Sequence, residues 1–266
     1  MDDWPAPSAC VGIVRDGSVV ATHGERARGY SWASVTKLAT ALAALVAAEE
    51  GVIGLDEPAG PEGSTVRHLL AHASGLPFER GGPTARPGRR RVYSNVGFEA
   101  LAEHVAVQAE MSFGEYLAIG VLDPLGMRAE LRGSPATGLH GSLDDLLVLG
   151  RELQRPTLIA QETLDEATSV QFPGLAGVLP DFGRMDPNDW GLGFELRDRK
   201  SPHWTGTRNS PTTFGHFGGS GTFLWVDPDA GLALACLTDL DFGDWAKEAW
   251  PRLSDAVLTE AQRANV

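Results

Sequence analysis

Ser34 and Lys37 stand three residues apart, directly ahead of an apolar run over 38–48 that only Thr40 interrupts. On a helix, positions i and i+3 share a face, so the Lys37 amine reaches the Ser34 hydroxyl. A serine in the first turn also lies at the positive end of the helix dipole, where unpaired amides stabilise a developing oxyanion. Nucleophile, base and electrophilic pocket then fall within one turn. The plain alternative is a helix cap followed by a lysine whose stem covers apolar surface. Lysine is scarce, occurring only at Lys37, Lys200 and Lys247, which makes the Ser-x-x-Lys spacing informative.

Two later segments supply complementary groups. Tyr93-Ser94-Asn95 follows the turn Pro87-Gly88 and precedes a helical pattern, which suits a phenol and an amide presented from a loop. A phenol beside an ammonium loses its proton more readily, so Tyr93 is a candidate general base for Ser34. Asn95 is placed to bond substrate or to hold Lys37. The third segment is Gly215-His216-Phe217-Gly218-Gly219-Ser220-Gly221, whose glycines allow a substrate or another backbone to lie close to a strand. It is not a nucleophile elbow, because Gly-x-Ser-x-Gly lacks its last glycine here, and Ser220 is a poor rival to Ser34.

The elements that must position these groups are visible in outline. Residues 9–15 and 18–23 read as strands joined by Asp16-Gly17, a hairpin turn. Residues 213–217, 222–226 and 232–237 read as a three-stranded meander. Between them lie helical patterns at about 34–50, 64–72, 97–110, 112–120 and 142–154, with long connections at 74–92 and 170–190. The segment from Asp244 to about Arg263 is helical, with Pro251 expected to force a kink or a fresh start.

Taken in order, Ser-x-x-Lys, Tyr-x-Asn and His-x-Gly resemble the penicillin-recognising serine hydrolases: class C β-lactamases, D-alanyl-D-alanine carboxypeptidases and related esterases. The segments Gly51–Pro58, Leu69–Pro77, Pro124-Leu125-Gly126-Met127 and Trp190-Gly191-Leu192-Gly193-Phe194 extend the resemblance over nearly the whole chain. It implies an α+β fold: about five antiparallel strands formed by both termini and flanked by helices, with a mainly helical lobe inserted. The chain is then one catalytic domain over 1–266, with a sheet lobe at about 1–60 and 190–266 and a helical lobe at about 61–189. By the same resemblance Ser34 is acylated, Lys37 and Tyr93 move its proton, and Asn95, His216, Phe217, Gly218 and Gly219 contact substrate. The amides of Ser34 and Gly219 form the oxyanion hole.

One departure from the family matters. The third motif is usually Lys-Thr-Gly or Lys-Ser-Gly, which help hold a substrate carboxylate, whereas here it is His216-Phe217-Gly218. Phe217 donates no hydrogen bond, and a histidine carries only part of a charge near neutrality. The expectation is a serine hydrolase that cleaves a small ester or amide. A true β-lactamase or carboxypeptidase and a non-catalytic binding protein are the alternatives. A titrating His216 would place an activity limb at about pH 6 to 7.

Composition bounds the remainder. With 22 basic and 35 acidic side chains the net charge is −13, which disfavours nucleic acid. Cys10 and Cys236 stand in no metal-binding spacing and read as buried thiols, and neither a metal nor a cofactor is expected. Acidic residues at Met1–Asp3 replace the basic start of a signal peptide, and the run at 38–48 is too short to cross a bilayer, so a cytoplasmic protein with no membrane partner is expected. Arg80, Arg86, Arg89, Arg90 and Arg91 read as a solvated loop, and His68 with His72 as structural histidines. Trp190, Trp204 and Phe217 are candidate walls of an acyl pocket.

Overall fold

The computed structural model describes residues 4–263, and Met1–Asp3 lie outside the described residues. Strands β1 (Ala9–Arg15) and β2 (Ser18–His23) form the expected hairpin around Asp16-Gly17, both at positive φ. The meander is β9 (Phe214–Gly218), β10 (Thr222–Asp227) and β11 (Leu232–Thr238). A short strand β8 (Glu195–Leu196), which has too few residues to show alternation, adds a sixth member to the sheet, in the order β2-β1-β11-β10-β9-β8. All its pairings are antiparallel, and β1 pairs with β11 over its whole length, Ala9 opposite Thr238 to Arg15 opposite Leu232.

Both faces of this sheet are covered, which is why every residue of β9, β10 and β11 is buried. On one face lie α1 (Thr36–Glu49) and α5 (Leu143–Gln154). On the other lies α7 (Asp244–Arg263), whose Trp250 and Leu258 pack with Val11, Phe217, Phe223 and Trp225. Cys10 and Cys236 sit on adjacent strands but belong to opposite faces, so both are free, buried thiols. Helix α7 runs through Pro251 without a fresh start. Its buried Ala246, Trp250, Ser254 and Leu258 hold both halves to the sheet.

Helix α1 is buried from Thr36 to Ala47, as an all-round apolar sequence requires. The helices that enclose it are α3 (Asn95–Gln108) and α4 (Phe113–Leu117), the latter passing into a π-helical turn at Ala118–Leu122. Helix α2 (Val66–Leu70) is capped by Thr65 and packs on α3. Three short strands, β3 (Tyr30–Ser31), β4 (Glu130–Leu131) and β5 (Leu139–Gly141), form a separate small sheet. The connection at 170–190 is not plain loop: a hairpin of β6 (Gly177–Leu179) and β7 (Gly183–Met185) lies within it, preceded by α6 (Gln161–Ala167). Its three-residue strands are too short to carry a period in sequence.

Candidate active site

Ser34 does not open α1. It sits in a 3-10 turn, Ala33–Val35, and α1 starts only at Thr36. The turn is tight: Ala33 has φ +42, in the left-handed region that costs an L-residue about 1–2 kcal/mol. Strand β9 braces it from outside, since a Cβ on Gly218 would come within 2.5 Å of the Trp32 carbonyl oxygen and 3.2 Å of the Ala33 Cβ. Glycine at 218 therefore lets the last turn of β9 lie against the nucleophile.

Lys37, the second residue of α1, is fully buried. Its Nζ donates to Asn95 Oδ1 at 2.7 Å and to the Ala136 carbonyl at 3.0 Å, and lies 3.4 Å from Ser34 Oγ. The rings of Tyr93 and Phe98 lie 4.9 and 5.6 Å from it. Burial without a paired carboxylate pushes this amine well below the usual lysine range, opposed only by the more distant charge of Glu99. With Asn95 and Ala136 taking two of its hydrogens, the amine has Ser34 Oγ as its third polar neighbour. Asn95 is presented by an ordinary device: Ser94 caps α3, its Oγ accepting from the Gly97 amide at 2.8 Å and donating to the Pro77 carbonyl at 2.6 Å. Asn95 therefore holds Lys37.

Tyr93 lies with its ring against Lys37. Burial pushes its phenol up, more than its hydrogen bond with Ser34 draws it down, and the charge of Glu195 pushes further in the same direction. Tyr93 therefore meets Ser34 as a phenol. Its ring stacks with Phe78 and leans on His72 and Trp190.

His216 is buried in β9, and burial brings its imidazole down to about 3. Nδ1–H donates to the Phe217 carbonyl at 2.6 Å, which leaves Nε2 as an unprotonated acceptor with no partner among the described residues. The ring is neutral throughout the physiological range, so no His216 limb is expected near pH 6 to 7.

These groups converge on a cavity of about 120 Å³, lined by Ser34, Tyr93, His216, Phe217 and Gly219 and overhung by residues 179–181 of the β6–β7 hairpin. Trp190 and Phe78 complete its aromatic walls. Asn95 and Gly218 stand behind the cavity rather than lining it, and Trp204 lies in the core beneath.

The patterns missed Glu195 on the cavity wall. Its Oε1 accepts from Lys200 Nζ at 3.0 Å and from His203 Nε2 at 2.9 Å, and its Oε2 accepts from the Trp204 indole. Burial alone would raise this carboxyl, but Lys200, followed by His203 and Trp204, brings it well below the usual carboxylate range. Lys200 gives its other hydrogens to the carbonyls of Asp189 and Leu196. Glu195, Lys200 and His203 share no regular spacing, so only the fold brings them together.

Arg91 also departs from expectation. Of the five arginines read as solvated it is buried, donating to the carbonyls of Ala71, Gln171, Phe172 and Asn188. Burial lowers its guanidinium to about 10. It fastens the segments on either side of Trp190. His68 and His72 bond separately, His68 to Thr65 and His72 through Nδ1 to the Ser94 amide, and His72 stacks beneath Tyr93.

A β-lactamase family profile matches residues 1–258, and the chain belongs to that family. A β-lactamase from Mycobacterium bovis, Mb2281c, is 54% identical and superposes with a TM-score of 0.96, covering 98% of this chain and 97% of its own. EstCE1, a hydrolase with promiscuous acyltransferase activity, shares the fold at 19% identity and a TM-score of 0.77, over 97% of this chain and 95% of that one. Penicillin-binding protein 4* of Bacillus subtilis is 28% identical over 131 residues, which is 37% of this chain and 29% of that protein's length. Among the described residues, no helix is long and apolar enough to cross a membrane.

Proposed function

We propose that this chain is a serine hydrolase that cleaves a small ester or amide through an acyl-Ser34 intermediate. The observation that carries this reading is the Lys37 amine, which is buried without a carboxylate partner and lies 3.4 Å from Ser34 Oγ. The separation is long for a hydrogen bond and shortens as the complex forms.

Lys37 accepts the Ser34 proton as Oγ attacks the carbonyl carbon, and the amides of Ser34 and Gly219 stabilise the oxyanion. Collapse breaks the bond to the leaving alcohol or amine. Tyr93, held as a phenol, gives that group its proton and recovers one from Lys37. Water then takes the leaving group's place, and the same transfers run in reverse to free Ser34. The small cavity suits a short acyl group.

Hydrolysis of a short-chain nitrophenyl ester by the wild type and by Ser34→Ala tests the reading. The variant is expected to lose at least about a thousandfold in kcat while keeping its fold, and an acyl adduct on Ser34 is expected by mass spectrometry. Equal turnover in the two proteins would overturn it.

A further inference from the structure

We propose that the cavity at Ser34 selects its acyl group by charge, accepting a neutral or ammonium-bearing chain and rejecting a carboxylate, with Glu195 and Asp181 as the discriminating residues. This rests on the acyl-Ser34 reading above and adds the substrate class. The charged side chains on the lining are two carboxylates, Glu195 on the wall and Asp181 at the exposed tip of the β6–β7 hairpin, and no lysine or arginine among the described residues lines it.

The buried cations nearby face elsewhere. Lys37 donates to Asn95 and Ala136, and Arg91 donates only to backbone carbonyls. Lys200 directs its hydrogens to Glu195 Oε1 and to two carbonyls, and does not line the cavity. The Glu195–Lys200 pair therefore presents its negative end to the cavity. Glu195 Oε2 receives a single hydrogen bond, from Trp204, so it keeps acceptor capacity.

The other groups act in the same direction. His216 offers the lone pair of Nε2 rather than a proton, which favours a donor such as an ammonium. The faces of Tyr93, Trp190, Phe217 and Phe78 attract cations and give an anion no counter-charge. The indole N–H of Trp190, unpartnered in the interior, supplies one neutral donor.

Three methyl esters of matched length test this: butyrate, β-alanine and the half ester of succinate, with ends that are methyl, ammonium and carboxylate. Methanol release is measured for each and corrected with Ser34→Ala. The expected order in kcat/KM is β-alanyl at or above butyryl, and succinyl at least about tenfold below butyryl. The part of the order set by Glu195 persists at raised salt, because a buried charge is screened less than an exposed one such as Asp181.

Asp181 has φ +64, a conformation asparagine tolerates, so Asp181→Asn removes the charge with little backbone cost. That variant is expected to narrow the β-alanyl to succinyl ratio about threefold. Glu195→Gln is expected to narrow it further where the variant folds. Succinyl ester cleaved as well as butyryl, in a Ser34-dependent manner, would overturn the charge selection and leave the hydrolase reading standing. Failure of all three esters and of the nitrophenyl ester to react at Ser34 would overturn both.

Discussion

Two lysines are buried in this molecule within reach of one cavity, and their surroundings make them opposites. Lys37 has an amide oxygen and a backbone carbonyl for partners and no carboxylate in contact. Lys200 has two carbonyls and the Glu195 carboxylate. Burial lowers both, but at Lys200 the attraction of Glu195 opposes the fall, whereas at Lys37 only the more distant Glu99 does. A buried amine without a counter-charge becomes a base; the same amine beside a carboxylate becomes a strut. The partner, rather than the depth, decides the role.

The largest effect that could break this comparison is Lys37→Met, which is expected to lower kcat about a thousandfold with the thermal midpoint held or raised. Nitrophenyl ester kinetics and calorimetry check it, and a substantially active Lys37→Met would remove Lys37 as the base. Lys200→Met should do the reverse in kind. It strands the Glu195 carboxylate and is expected to cost about 3–5 kcal/mol of stability by denaturant unfolding. Adding Glu195→Gln should recover most of that loss, because the pair acts as a unit.

A pH series separates the two lysines further. Catalysis needs neutral Lys37, so kcat/KM should rise with pH through its lowered pKa and then level off. The limb should survive in His216→Gln, since burial pushes that imidazole down to about 3. Stability carries the same sign. The unfolded chain binds a proton at this lysine over a range where the folded chain does not, so stability rises with pH from the folded pKa of Lys37 to its ordinary unfolded value of about 10.4. Lys37→Met should flatten that slope. The smallest effect is Glu99→Gln, which removes the charge that raises Lys37 and should move the activity limb to lower pH.

The sequence made one lysine legible and hid the other. Ser34-Val35-Thr36-Lys37 is a local spacing, and local spacings survive into geometry even though Ser34 proved to occupy a turn before the helix. The Asp16-Gly17 hairpin and the final meander were readable for the same reason. Glu195, Lys200 and His203 form no motif, and the carbonyls that Arg91 binds come from segments 20 to 97 residues away. Backbone acceptors leave no trace in side-chain identity. The protonation of Tyr93 and His216 depends on burial, which motif spacing does not report.

The pairing of β1 with β11 fixes when the site can first form during synthesis. A ribosome releases the Ser34 turn early, but β9, which braces that turn through Gly218, and β11, which joins β1 to the rest of the sheet, are among the last strands to emerge. A nascent chain halted before Phe214 carries the serine and the lysine without the strand that walls the pocket. Completion of the pocket is thus deferred until β9 has emerged and the sheet closes around it.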